Sequence, residues 1–307
     1  MQVFKVSKKM MGSAFELGLV SNNKEAANKL LEIGIQEIER LENLLSEFIT
    51  SSDVSKINQS HHKEFISAEC FDLIVRAQNI SKLSQGDFDI TTKPLKSLYN
   101  FKNTDFEFPD KREIKKALKN VGYQKLKLNP QEKSVTCTQS IQISFAAIGK
   151  GYASDKVKQL WQEHGVTSGY INASGDLNAF GVRPNHEPWK VTIVNPNNAN
   201  QKIFRIPIQN TAVATSGNYY QYFMYKGEKY SHNINPKTGI PLKEIKSATV
   251  FSPSAELSDA LATAVTVKGV KNGLEFINSL PNTHCVLIDQ QDKIHFSNEI
   301  NFHQNEI

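Results

Sequence analysis

Helical and strand periodicities are segregated along this chain, and no other feature limits its fold as much. Lys24–Leu45 carries Ala27, Leu30, Leu31, Ile38, Leu41, Leu44 and Leu45 at the helical period, with Glu and Lys opposite. Ala68–Leu83 repeats the pattern, with Phe71, Ile74, Ala77, Ile80 and Leu83 inward, and the charged stretch Lys111–Leu118 reads as a third helix. Residues 46–58 read as a polar loop. An early strand at 15–20 alternates Phe15, Leu17 and Leu19 with Glu16 and Gly18. Short strands follow at 125–128, 134–138 and 141–145, then a helix at 152–164 closed by Gly165. The second half is strand-rich, with runs at 169–171, 190–194, 203–208, 212–215, 221–225, 249–251, 285–288 and 293–296. Two helices interrupt these, one around Asp259 and an amphipathic one at 270–280. Early helices and late strands predict an α+β fold rather than an alternating doubly wound sheet. No repeat, low-complexity linker or hinge divides the chain, so one compact unit is expected.

Asp259-Ala-Leu-Ala-Thr263 places a carboxylate and a hydroxyl four residues apart in a segment that otherwise reads as buried helix. Residues at i and i+4 project from one side of a helix, so both oxygens can address one point. Oxygen donors without His or Cys suit a hard cation, Mg²⁺ or Ca²⁺. A structural reading is also open, with Asp259 facing the helix dipole and Thr263 back-bonded to a carbonyl.

The formal charge of +5 comes from interleaved Lys, Arg, Asp and Glu without a basic block, which argues against nucleic-acid binding and leaves a slight bias toward an anionic small ligand. Cys70, Cys137 and Cys285 are odd in number and far apart, so buried reduced thiols are expected, not a disulfide framework or a zinc site. No apolar run approaches the roughly 20 residues of a membrane span. Residues 1–11 contain Lys5, Lys8 and Lys9 without a following apolar segment or lipid-anchoring cysteine. The expected location is cytoplasmic if Met1 is the native start, and periplasmic and membrane-anchored if the N-terminus was trimmed.

Several further blocks bear on chemistry. Ala146-Ala147-Ile148-Gly149-Lys150-Gly151-Tyr152 is a strand-to-helix junction whose glycines permit close backbone approach and whose lysine adds a point charge for an anion. It lacks the Walker A spacing. Asn172-Ala173-Ser174-Gly175-Asp176 is a small-residue turn, and Gly86-Asp87-Phe88-Asp89-Ile90-Thr91 offers two carboxylates as turn formers or ligand contacts. Thr215-Ser216-Gly217-Asn218 follows a strand. So does Ser231-His232-Asn233-Ile234-Asn235-Pro236-Lys237-Thr238-Gly239, where His232 is suited to proton transfer near neutral pH.

Taken in order, these blocks with Met11-Gly12-Ser13 and the Phe48…Ser55…Asn58 segment resemble the ApbE family of flavin transferases. The resemblance implies a single ApbE-like domain over residues 1–307, with its core at about 11–298. It also implies an enzyme that uses Mg²⁺ and takes FAD as substrate. Such enzymes transfer the FMN moiety to a Thr or Ser hydroxyl of a client flavoprotein through a phosphoester bond, releasing AMP. Clients resemble subunits of respiratory redox pumps. Some relatives instead hydrolyse FAD to FMN and AMP, and a non-catalytic FAD-binding protein is a third possibility. By matching position, Asp259 and Thr263 are the implied side-chain Mg²⁺ ligands, with the Ala147 carbonyl as a third. His232 is the implied general base. Lys150 falls where the family contacts FAD. Met11, Phe48, Gly86, Asp87, Phe88, Ser144, Ser174, Thr215 and Ile234 fall in or near the flavin-nucleotide segments. Ser144 stands where relatives often carry Asp, and Ser174 replaces the first glycine of a Gly-Gly pair.

Overall fold

The structure is a computed structural model that describes residues 1–60, 62–99, 107–137, 140–217, 222–225, 227–298 and 300. In chain order the elements are β1 (Gln2–Met10), β2 (Ser13–Ser21), α1 (Lys24–Leu45), α2 (Asp53–Gln59), β3 (Lys63–Phe65), α3 (Ala68–Leu83), α4 (Lys93–Lys96) and α5 (Lys111–Leu118). There follow β4 (Leu126–Asn129), β5 (Ser134–Cys137), α6 (Gly149–Glu163), β6 (Gly169–Ala173), β7 (Asp176–Phe180), β8 (Trp189–Asn195), β9 (Asn198–Ile208) and β10 (Thr211–Gly217). The last are β11 (Tyr222–Tyr225), β12 (Glu228–Ser231), β13 (Ile245–Ser252), α7 (Ala255–Asn278), β14 (His284–Asp289) and β15 (Ile294–Phe296).

The main sheet runs β1-β2-β6-β7-β10-β13-β14-β15, and every neighbouring pair is antiparallel. Helices cover one face. Phe15, Leu17 and Leu19 of β2 and Ile171 of β6 meet the apolar faces of α1 and α6, with Trp161 fully buried among them. Ala248 and Val250 of β13 and Cys285 and Leu287 of β14 meet Leu261, Ala262 and Val265 of α7. The other face is closed by the β8–β9 hairpin, whose Trp189, Val191, Ile193 and Ile208 cover Val213, Phe251 and Val286. β13 is therefore buried on both faces, with Ala248 and Val250 toward α7 and Phe251 toward the hairpin. The α+β expectation of one compact unit holds.

The long early helices form as read. Asn23 caps α1 by accepting from the Ala26 N–H at 3.1 Å. Gly34 lets α1 lie close to its neighbours, since a Cβ there would sit 2.8 Å from Leu17 and 3.2 Å from Trp161. Four expectations need correction. β1 was not read as a strand, yet it pairs with β2 throughout, with Lys5, Lys8 and Lys9 on an edge strand. Residues 46–58 are not all loop, because Ser52 accepts from the Ser55 N–H at 2.9 Å and starts α2. Residues 141–145 form no strand. Their backbone is claimed by a side chain instead: Asn58 donates to the Ile143 carbonyl at 2.9 Å and accepts from its N–H at 2.7 Å. The helices at Asp259 and 270–280 are two arms of α7 meeting at Gly269, whose φ of 78° no helix interior adopts. Thr138, Asn218 and Gln221, read as part of a strand end, a turn and a strand, lie outside the described residues.

Candidate functional site

Asp155 sets the site's geometry, although it lies within none of the reactive positions. From α6 its carboxylate accepts from the Ala255 N–H (3.0 Å), the Glu256 N–H (2.8 Å) and the Ser254 hydroxyl (2.8 Å), and so caps α7 from another element. Asn178 of β7 donates to the same carboxylate at 2.8 Å. The two helices can touch because residue 151 is Gly: a Cβ there would lie 2.2 Å from the Ala255 carbonyl oxygen. That contact brings Asp259, in the second turn of α7, onto the first turn of α6. Asp259 Oδ2 accepts from the Gly151 N–H at 3.3 Å and from Lys150 Nζ at 3.4 Å. Lys150 also meets Asp176 Oδ2 at 3.0 Å, and Asp176 Oδ1 accepts from the Thr215 N–H at 2.9 Å. Residues far apart in the chain thus form a Lys150–Asp176–Asp259 cluster at the ends of β7 and β10.

The cluster holds more negative than positive charge. Burial pushes the Asp259 carboxyl up to about 6, and the neighbouring Asp176 adds to this against the pull of Lys150. Lys150 is held well above the ordinary lysine range: facing Asp259 and Asp176 outweighs its desolvation, the largest single effect and one of opposite sign. Lys150 is shared between two carboxylates, the buried Asp259 and the partly buried Asp176.

Oxygen donors are available for a cation. The Gly151 N–H points to Asp259, and among the described residues nothing donates to the Ala147 carbonyl. The Thr263 hydroxyl makes no hydrogen bond among the described residues, whereas nearby Thr266 back-bonds to the Ala262 carbonyl at 2.8 Å. Asp259 Oδ1 likewise accepts none among them. A carbonyl, a hydroxyl and a carboxylate are a hard-cation donor set, and they fit Mg²⁺. No group of three His, Cys, Asp or Glu side chains suited to a metal occurs among the described residues.

Met11 and Ser174 border the cluster. Met11 has a φ of 48° in the β1–β2 turn and reaches toward Gly149, while Ser174 ties that turn to the β6–β7 turn by accepting from the Ala14 N–H at 3.1 Å. Thr215 shares a hydroxyl contact of 3.0 Å with Thr249. Ser144 donates its N–H to the Ile90 carbonyl at 2.8 Å, joining the Gly86–Thr91 block to the α6 junction. His232 is partly buried between Ser231, whose N–H donates to the Leu242 carbonyl, and Asn233, whose amide donates to Ser216 at 2.9 Å. Phe48 is 84% exposed just past α1, a large apolar ring open to a ligand. Phe88 and Ile234 are packed into apolar clusters, so their rings and branches serve the core. Asp87 is engaged by two lysines, and Gly86, with φ 82°, turns the chain beside it.

A model of the ApbE family matches residues 11–287. The chain belongs to the ApbE family. It is 24% identical over 290 residues to the FAD:protein FMN transferase of Haemophilus influenzae, covering 89% of this chain and 83% of that one. With the FAD:protein FMN transferase of Escherichia coli K12 it shares 26% over 280 residues, covering 88% and 79%. Its fold superposes on the ApbE protein of Thermotoga maritima with a TM-score of 0.90 at 26% identity, over 97% of both chains. The apo flavinyl transferase ApbE of Pseudomonas stutzeri gives 0.86 at 26%, over 97% and 95%.

Within this ApbE fold the sequence reading missed Asp176 and Asp155 as site-builders, although Asp176 closes a quoted block and Asp155 follows another by three residues. Their partners lie on other elements, so spacing carried no signal. It also missed Glu47, Lys93 and Lys96. Lys93 Nζ stands 3.2 Å from a buried Glu47 oxygen, an ion contact without hydrogen-bond geometry. Burial holds the Lys96 ammonium below the usual lysine range, against the pull of Glu47 and Asp259. No helix among the described residues is long and apolar enough to cross a membrane.

Proposed function

We propose that this chain is a Mg²⁺-dependent FAD:protein FMN transferase. It moves the FMN moiety of FAD onto a Thr or Ser hydroxyl of a client flavoprotein, such as a respiratory redox-pump subunit, and releases AMP. The observation that carries the reading is that the Gly151 N–H turns to Asp259, while the Ala147 carbonyl and the Thr263 hydroxyl have no hydrogen-bond partner among the described residues. The relatives' activity supports it.

Ala147, Asp259 and Thr263 would hold Mg²⁺, and the ion would supply charge neutralisation at a diphosphate. The chain's own residues do the rest. Lys150, anchored by Asp176 and Asp259, presents a fixed ammonium to phosphate oxygens. The Lys150 backbone N–H has no acceptor among the described residues and stands in the first turn of α6, where a helix N-terminus favours an anion. Phe48 offers a ring face to the flavin. His232 takes the proton of the incoming hydroxyl, a step worth on the order of 10²–10⁴-fold.

The test is incubation with FAD, Mg²⁺ and a candidate client, read by in-gel flavin fluorescence. Covalent flavin on the client is the expected result, lost in Asp259→Ala and reduced by about 10²-fold or more in His232→Ala under single turnover. Free FMN and AMP without client labelling assign the chain as an FAD hydrolase, and intact bound FAD assigns it as a carrier.

A further inference from the structure

We infer that the Asp87 side chain is a positioning group, which fastens the segment bearing His232 to the loop after α3 and to α7. The inference rests on the proposed transfer reaction and gives this carboxylate a role beyond its place in a flavin-nucleotide segment.

Both carboxylate oxygens of Asp87 are already used. Lys237 donates to Oδ1 at 2.7 Å and Lys268 to Oδ2 at 2.7 Å. Lys268 also donates to the Ser84 carbonyl at 2.9 Å, which ties α7 to the end of α3. The Asp87 and Lys268 side chains are each 10% exposed, while Lys237 is 52% exposed. A nearly buried ion pair therefore forms a fixed post, and the outer lysine hooks a surface turn onto it. Charge-assisted bonds of this length are the stronger class of hydrogen bond.

The hooked turn is stiff in itself. The Asn235 side chain accepts from the Lys237 N–H at 2.9 Å and the Thr238 N–H at 3.2 Å, and the Gly239 N–H donates to the Asn235 carbonyl at 2.8 Å. Its far end is held separately, because Tyr99 donates to the Gly239 carbonyl at 2.6 Å and Gly239 abuts Leu95 and Ile114. His232 lies just past the end of β12 in the segment entering this turn, where the Ser231 N–H donates to the Leu242 carbonyl and the Leu242 N–H to the Asn233 carbonyl. A rigid turn held at two points transmits any slip at Lys237 to His232. A misplacement of about 1 Å at a reacting group can cost about 10²-fold in rate.

The experiment uses the full chain with Lys237→Met, Lys237→Arg and Asp87→Asn. Three quantities are read: amide exchange over residues 231–242, single-turnover transfer at saturating FAD and Mg²⁺, and the FAD Kd. Lys237→Met leaves the buried pair intact. It is expected to speed exchange in that segment and slow transfer, each by about tenfold, with the FAD Kd changed less than about twofold. Lys237→Arg restores both. Asp87→Asn shows the same pattern with a lower Tm, since it leaves Lys268 without its counter-ion. Unchanged exchange and rate in Lys237→Met overturn the inference. So does a weakened FAD Kd with an unchanged rate, which would make these residues ligand contacts. If the wild type transfers no flavin, the functional reading falls while the exchange data still decide the turn's attachment.

Discussion

Asp259 is held in a setting that disfavours its own charge. Burial and Asp176 raise its carboxyl to about 6, above the roughly 3.9 of an unfolded chain. Between those values the folded state binds more protons than the unfolded one, so this group's contribution is fully present below about pH 4 and is lost as pH rises through about 6. Asp259→Asn in the metal-free protein should therefore be more stable than wild type at pH 7.5, by on the order of 1–3 kcal/mol, and gain little at pH 4. Urea unfolding at the two pH values checks this. The same variant should lose Mg²⁺-dependent FAD uptake in calorimetry. A variant less stable than wild type at pH 7.5 would mean that Lys150 fully compensates the charge.

The α6–α7 contact carries the site as a unit. Asp155 spans three donors at the start of α7, and its loss exposes the end of a helix that also carries Asp259 and Thr263. Asp155→Ala should cost about 1–3 kcal/mol, from the lost cap and the N–H groups left unpaired. Gly151→Ala should cost a similar amount, about 1–3 kcal/mol, by overpacking, because its new Cβ meets backbone that cannot rotate away. Both should weaken Mg²⁺-dependent FAD binding without touching a ligand. Chemical denaturation and calorimetry on each variant measure the two effects separately. Wild-type FAD affinity in a destabilised Gly151→Ala would uncouple the helix contact from the site.

Across the molecule, the three cysteines report on different layers. Cys70 lies in α3, Cys137 in the small β3-β5-β4 sheet and Cys285 in the main sheet, and all are buried and free. Burial pushes the Cys137 thiol up to about 11 and the Cys285 thiol to about 12, with Cys70 higher still. Slow native-state labelling at pH 8 is expected, with one shared urea midpoint for all three, since the main core takes in Cys70 and Cys137 and shares Leu257 and Phe276 with the layer that buries Cys285. Earlier labelling of Cys137 would show the small sheet opening by itself.

The helices α1, α3 and α5 are legible from residue order because a helix satisfies its own backbone and needs only one apolar stripe and a cap, all within local reach. The α6 junction, the Asp259–Thr263 pair and the His232 turn are legible as motifs for the same reason: glycine, oxygen ligands and turn formers state their chemistry locally. Partnership is not local. Residues 141–145 look like a strand until Asn58 takes their hydrogen bonds, and Asp176 looks like the end of a turn until Lys150 and Thr215 reach it. Asp87 shows no partner in residue order, yet Lys237 and Lys268 each donate to one of its oxygens. Periodicity and composition specify which element each segment becomes. Which polar group spends its hydrogen bonds on which distant partner, and so which oxygens remain for a ligand, is set when the sheet and helices pack, because buried polar groups must be satisfied by whatever that packing brings within about 3 Å.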